Sequence, residues 1–98
     1  MAQTTKSPTI SVLLPAYNAE LHILQSVESV LAQTLEDFEL LVVNDGSTDR
    51  TLEILSGIAD RRLRILNNPC NIGIVGSLNR AMSEAAGEYI ARIDADDF

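Results

Sequence analysis

Four apolar runs of strand length, separated by three stretches of helical period, constrain this chain more than anything else in it. The runs cover residues 10–14 (ISVLL), ending at Pro15; 38–43 (FELLVV), ending at Asn44-Asp45-Gly46-Ser47; 63–66 (LRIL), ending at Asn67-Asn68-Pro69; and 89–93 (YIARI), ending at Asp94. Short apolar runs bounded by turn residues predict buried parallel strands. Between them the period changes. Leu24, Val27 and Leu31 form one stripe, Leu52, Leu55, Ile58 and Ala59 a second, and Ile74, Leu78, Ala81, Met82 and Ala85 a third. Each stripe predicts a helix with that face on the core. Asn18 is expected to cap the first helix, with Glu20 in its first turn, and Ser47, Thr48 or Asp49 the second; Gly57 and Gly87 fall near helix ends.

Strand, helix, strand, helix, strand, helix, strand is the alternation of a parallel α/β sheet with right-handed crossovers. The predicted fold is a Rossmann-like, three-layer α/β/α unit whose mainly parallel sheet has strand order 3-2-1-4. In such sheets ligands bind beyond the carboxyl ends of the strands, where the strand order reverses. That rule selects Pro15, Ala16, Tyr17 and Asn18 after strand 1 and Asp94, Ala95, Asp96 and Asp97 after strand 4. Asp45, at the end of strand 2, lies beside them.

Composition narrows the ligand. Seven basic against fourteen acidic residues leave a formal charge of −7, so general binding to nucleic acid or to an anionic membrane is not expected, because phosphate affinity rests on clustered Lys and Arg. Any phosphate bound here needs positive charge from another source. At 98 residues the chain suits one domain, read as a loose tail over residues 1–8 and a folded unit over 9–98. The lone Cys70 cannot form an intrachain disulfide and reads as a loop or core residue; with no secretory h-region and no bilayer-length apolar run, a cytoplasmic setting is expected. His22 has no Cys or His at ligand spacing and reads as a surface residue of the first helix.

Period-two alternation points Asp94 and Asp96 the same way. Converging carboxylates repel unless a cation or a shared proton intervenes, and hard oxygen donors suit Mg²⁺ or Mn²⁺, which complete their shells with substrate phosphates and water. A solvated acidic segment is the competing reading of the same residues. Asp45 has two readings as well: an acceptor for a ribose or base, or a residue serving its own Asn-Asp-Gly-Ser turn. Tyr17 either stacks on a base or packs at the sheet edge. Neither G-x-G-x-x-G, nor a P-loop, nor G-x-S-x-G occurs in the chain, which removes three common alternatives.

The succession ISVLLPAYNAE, LLVVNDGSTDRT and NNPCNIGIVGSLNRAMSEAAGEYIARIDADD closely resembles the N-terminal, nucleotide-binding half of GT-A glycosyltransferases of the family 2 type, over nearly the whole chain. The resemblance implies that Pro15, Ala16 and Tyr17 shape the wall beside a base, with Asn18 next to them. It implies that Asp45 accepts a hydrogen bond from uracil or an equivalent ring, and that Asn71 and Gly73 border the pocket. Asp94-Ala95-Asp96 then matches the D-x-D element, with Asp96 or Asp97 holding the divalent metal against the diphosphate and Asp94 near the ribose or a metal-bound water. The same resemblance leaves Asn79 and Arg80 without a role.

The resemblance therefore implies a donor-nucleotide half of a metal-dependent, UDP-sugar-using, inverting enzyme, whose general base and acceptor surface are expected beyond Phe98; the 98-residue unit alone is expected to be inactive. The acceptor implied is a carbohydrate or a lipid-linked hydroxyl. A standalone nucleotide-binding or regulatory module is the alternative. In the donor-half reading strand 4 is expected to be a bare sheet edge, and self-association is expected from it.

Overall fold

The computed structural model describes residues 8–33 and 37–93. Seven elements alternate along them: β1 (Ile10–Ala16), α1 (Ile23–Leu31), β2 (Phe38–Asp45), α2 (Thr51–Ser56), β3 (Leu63–Asn68), α3 (Ile74–Glu84) and β4 (Tyr89–Arg92). The four strands form one sheet in the order β3-β2-β1-β4, and every pairing is parallel. Both features agree with the sequence reading. Most of the expected tail, and the acidic stretch holding Asp94, Ala95, Asp96 and Asp97, lie outside the described residues.

Alternation along the strands divides the core in two. Leu14, Leu40 and Val42 face Ile23, Val27 and Val30 of α1 and Leu55 of α2, while Leu13, Leu41 and Val43 face Ala81 of α3 with Leu78 and Ala85 beside it. Helices α1 and α2 therefore cover one face and α3 the other, which gives three layers. β2, flanked by β1 and β3, is buried at every residue.

Three details differ from the sequence reading. β1 does not stop at Pro15 but runs to Ala16 and pairs Pro15 with Val43. The reason is parity. Ile93 N–H donates to the Leu13 carbonyl on the β4 side, and Pro15 shares that parity, so its missing N–H faces the flank beyond Arg92, the last residue paired with β1. Proline is tolerated where no ladder bond is required. Second, the buried stripe of α1 is Ile23, Val27 and Val30, and Leu24 is exposed. Third, Leu52, Ala59, Ile74 and Met82 are also exposed, and α3 presents Ser77 and Ala81 as its buried residues. Two small side chains bring this helix close to the sheet.

Gly87 lies between α3 and β4 and serves a close approach between backbones. A Cβ there would sit 2.6 Å from Ser11 N and 2.7 Å from Ser11 Oγ. The Gly87 N–H instead donates to Ser11 Oγ at 2.8 Å, and that hydroxyl donates to Glu39 Oε2 at 2.6 Å. Glu39 also accepts from Ala86 N–H at 2.7 Å and from Arg64 at 3.0 Å. Burial alone would raise the Glu39 carboxyl, but the Ala86 amide, the Ser11 hydroxyl and Arg64 outweigh it and hold the group below its ordinary 4.5.

Candidate functional site

The carboxyl ends of β1 and β2 open into a cavity of about 450 Å³ lined by Pro15, Ala16, Tyr17, Asn18, Ala19, His22, Asp45, Asn71, Gly73, Ile74 and Ser77. Six of the residues selected from sequence, Pro15, Ala16, Tyr17, Asn18, Asp45 together with Asn71, meet here, and Gly73 makes a seventh. Tyr17 is exposed, which leaves its ring face available for stacking. The sequence places His22 on the surface within the first helix; it is exposed, but it immediately precedes α1 and lines the cavity.

One wall is stitched together from two loops. Asn18 adopts the left-handed region at φ 50, which asparagine tolerates better than most residues. That conformation lets its Oδ1 accept Thr48 N–H at 2.7 Å while its own N–H donates to Ser47 Oγ at 2.9 Å. Ala19 N–H donates to Thr51 Oγ1 at 2.8 Å and Glu20 N–H to Asp49 Oδ2 at 3.2 Å, and Glu20 Oε1 accepts Arg50 N–H in return. Asn18 is thus not the cap of α1, which starts later, at Ile23. Nor is Ser47, Thr48 or Asp49 the cap of α2, whose N-cap position is Arg50, although Asp49 accepts Thr51 N–H at 2.9 Å.

Asp45 organises the opposite wall. Its side chain ends β2 and is 4% exposed. Oδ1 accepts Asn68 Nδ2 at 2.9 Å and Ile72 N–H at 2.8 Å; Oδ2 accepts Asn71 Nδ2 at 2.9 Å and Gly73 N–H at 2.9 Å. An ionised carboxylate has about four acceptor positions, and here four donors of the chain itself occupy them. Burial pushes the Asp45 carboxyl up, yet the Ile72 amide, the Asn68 side chain, the Gly73 amide and Ser77 outweigh it and keep the group below its ordinary 3.8. Within the Asn-Asp-Gly-Ser turn it is Asn44 whose Oδ1 accepts Ser47 N–H, whereas the Asp45 carboxylate fixes the 71–73 segment at the cavity rim.

The carboxylates carry a pH dependence. Asp60 is lowered to about 2, first by the Arg62 side-chain hydrogen bond, and Glu39 and Asp45 are lowered as well. A depressed folded value contributes stability above the unfolded value, and that contribution is lost as pH falls through the folded one. Stability is therefore expected to hold from neutral pH down to about 4.5 and to fall below that, with the Asp60 share lost between 3.8 and about 2. Urea midpoints measured across this range check it; a midpoint unchanged down to about pH 3 would contradict it.

Sequence reasoning missed Asn68, Ser77 and Thr51, all buried and all bonded to site residues. Their signal is weak, because each partner lies on another element. Among the described residues no cluster of three His, Cys, Asp or Glu suits a metal ion, and no helix is long and apolar enough to cross a membrane.

A parallel α/β sheet with a cavity beyond the carboxyl ends of β1 and β2 defines a Rossmann-like unit. The chain belongs to glycosyl transferase family 2, whose pattern it matches over residues 11–98. An uncharacterized glycosyltransferase of Haemophilus influenzae is 47% identical over 92 residues, covering 92% of this chain and 28% of that protein. Among solved structures, S. aureus TarS 1-349 in complex with UDP-GlcNAc superposes with a TM-score of 0.84 at 33% identity, over 90% of this chain and 26% of that one. The mannosyltransferase PcManGT from Pyrobaculum calidifontis in complex with GDP-Man and Mn²⁺ gives 0.81 at 26% identity, over 94% and 28%. The fold is thus that of the N-terminal part of GT-A glycosyltransferases, and the chain spans between a quarter and a third of each of these relatives.

Proposed function

We propose that this chain is the donor-nucleotide half of a metal-dependent, inverting glycosyltransferase, one that moves a sugar from a UDP-sugar to a carbohydrate or lipid-linked hydroxyl in the cytoplasm. The observation that carries the reading is the cavity beyond the carboxyl ends of β1 and β2, with Tyr17 on one wall and Asp45 holding Asn71 and Gly73 on the other. In this reading Tyr17 stacks on the base. A ring N–H approaches Asp45 where the exposed Asn71 amide now sits. Relatives in complex with UDP-GlcNAc and with GDP-Man support a nucleotide diphosphate sugar as the ligand class. Family membership leaves a non-catalytic binding module with no observation in its favour.

The cavity lining itself argues for a divalent cation. Among the described residues it contains no Lys or Arg and one carboxylate, Asp45, so a diphosphate placed there needs positive charge from elsewhere. β4 runs parallel to β1, and the sequence beyond Ile93 supplies Asp94, Asp96 and Asp97, hard oxygen donors suited to Mg²⁺ or Mn²⁺. Asp96 or Asp97 would hold the ion, which supplies Lewis-acid stabilisation of the leaving diphosphate. No residue among those described is assigned as the base that deprotonates the acceptor.

Calorimetry with UDP and Mn²⁺ tests the reading. Heat of binding is expected for the wild type and its loss, by about tenfold or more in affinity, in Asp96→Ala. Equal heat in both, or none in the wild type, would count against it. Self-association belongs to the same proposal: all four residues of the edge strand β4 are exposed, and an apolar groove of about 280 Å³ lies beside it, lined in part by Ile10, Val30, Phe38 and Ile93. Light scattering at high concentration should return more than a monomer mass.

A further inference from the structure

Arg80 stands outside the cavity, on the second turn of α3, yet its contacts lead into it. Its Nη1 donates to the Asn67 carbonyl at 2.6 Å and to Asn68 Oδ1 at 2.7 Å. Arg80 pairs with no carboxylate among the described residues. Asn68 is buried, at 6% exposure, and pairs directly with Asp45 across β2 and β3. Its Nδ2 donates to Asp45 Oδ1 at 2.9 Å and to Ser77 Oγ at 3.2 Å.

These contacts form a directed chain. A guanidinium only donates and an ionised carboxylate only accepts, so the amide between them has one orientation, Oδ1 towards Arg80 and Nδ2 towards Asp45. A donor on the far side of an amide polarises it and strengthens the bond it gives in turn. Asp45 is therefore gripped from two sides. Asn71, Ile72 and Gly73 hold it at the cavity rim, and Asn68, anchored by Arg80, holds it from behind.

We propose that Arg80 is a positioning residue for base selection: acting through Asn68, it sets the orientation of the Asp45 carboxylate, which meets a ring N–H of the ligand's base at the position the Asn71 amide now fills. The inference rests on the nucleotide-site reading above and adds a remote residue to it. If Arg80 served only to fasten α3 to the end of β3, its loss would lower stability without changing which base is preferred.

The test compares UDP with UDP methylated at uracil N3, each titrated with Mn²⁺ into the 98-residue chain. The wild type is expected to prefer UDP by about tenfold, the worth of one hydrogen bond to a charged group. Arg80→Met, which keeps the aliphatic stem, should weaken UDP by about tenfold and leave the methylated ligand unchanged, so the preference collapses. Arg80→Lys, which restores a charged donor, should recover most of it. Arg64→Ala, on the remote Glu39 contact, should keep the full preference and controls for loss of stability; Arg80→Ala gives a second reading should Arg80→Met not fold. A preference retained in the Arg80 variants overturns the inference and leaves the nucleotide site intact, as does a wild type that binds both ligands equally. A wild type that binds neither overturns the nucleotide-site reading and this inference with it.

Discussion

Gly46→Ala is expected to remove a large share of the stability of this domain and, with it, the nucleotide affinity proposed above. Gly46 takes φ +68, and a Cβ built on it would lie 2.5 Å from Asn71 N, 2.5 Å from the Cys70 carbonyl carbon and 2.9 Å from Cys70 Cα. All three are backbone atoms, which cannot swing aside. The left-handed conformation alone costs a non-glycine residue about 1–2 kcal/mol, and displacing the 70–71 backbone breaks the bonds that Asn71, Ile72 and Gly73 give to Asp45. The total loss is expected to be about 3–5 kcal/mol, against a domain stability of about 5–15 kcal/mol. Urea denaturation measures it directly. A loss below about 1 kcal/mol would mean that the 70–73 segment yields easily and does not form a rigid wall.

The second large effect lies in the core. Leu41 is fully buried in β2, packed with Leu13, Val43 and Ala81 between the sheet and α3. Leu41→Ala removes that contact and leaves a void which small neighbours such as Ala81 cannot fill. The expected cost is about 3–4 kcal/mol, within the range for leucine truncation in a packed core. UDP affinity measured below the unfolding transition should change less than twofold, because Leu41 does not line the cavity. An affinity loss as large as that of Asp96→Ala would show that the site depends on sheet packing rather than on its own loops.

How much of the fold and site is legible in the sequence depends on the range of the interaction. The strands and their order follow from short apolar runs and the alternation rule, both local signals. The first helix is legible, but its rotation is not. Apolar residues at 23, 24, 27, 30 and 31 supply two overlapping stripes, and the bonds from residues 18–20 to residues 47–51 set where the helix starts and so which stripe turns inward. In α3, hydropathy favours Ile74 and Met82, whereas close packing on the sheet selects Ser77 and Ala81. Pro15 looks like a terminator because its role depends on which flank of β1 is paired. Of the rim residues, Asp45 is legible from its place at the end of the second strand, and Asn71 and Gly73 through their resemblance to a family. Asn68 and Arg80 are not, since their part in the site exists only through side-chain bonds to residues that the fold brings near.

The tie from Gly87 to Ser11 and on to Glu39 has a consequence for how the molecule comes into being. Ser11 meets Glu39 across 28 residues but meets Gly87 across 76. Pairing at such separation is slow, because the loop must close before any contact repays it. A chain leaving the ribosome can therefore join β1 to β2 early, while the other flank of β1 waits until Gly87 and β4 have emerged. The cavity does not have to wait, since every described residue lining it falls between Pro15 and Ser77. Its walls can form before the last strand docks, and the middle strand of the sheet is completed after the pocket it helps to build.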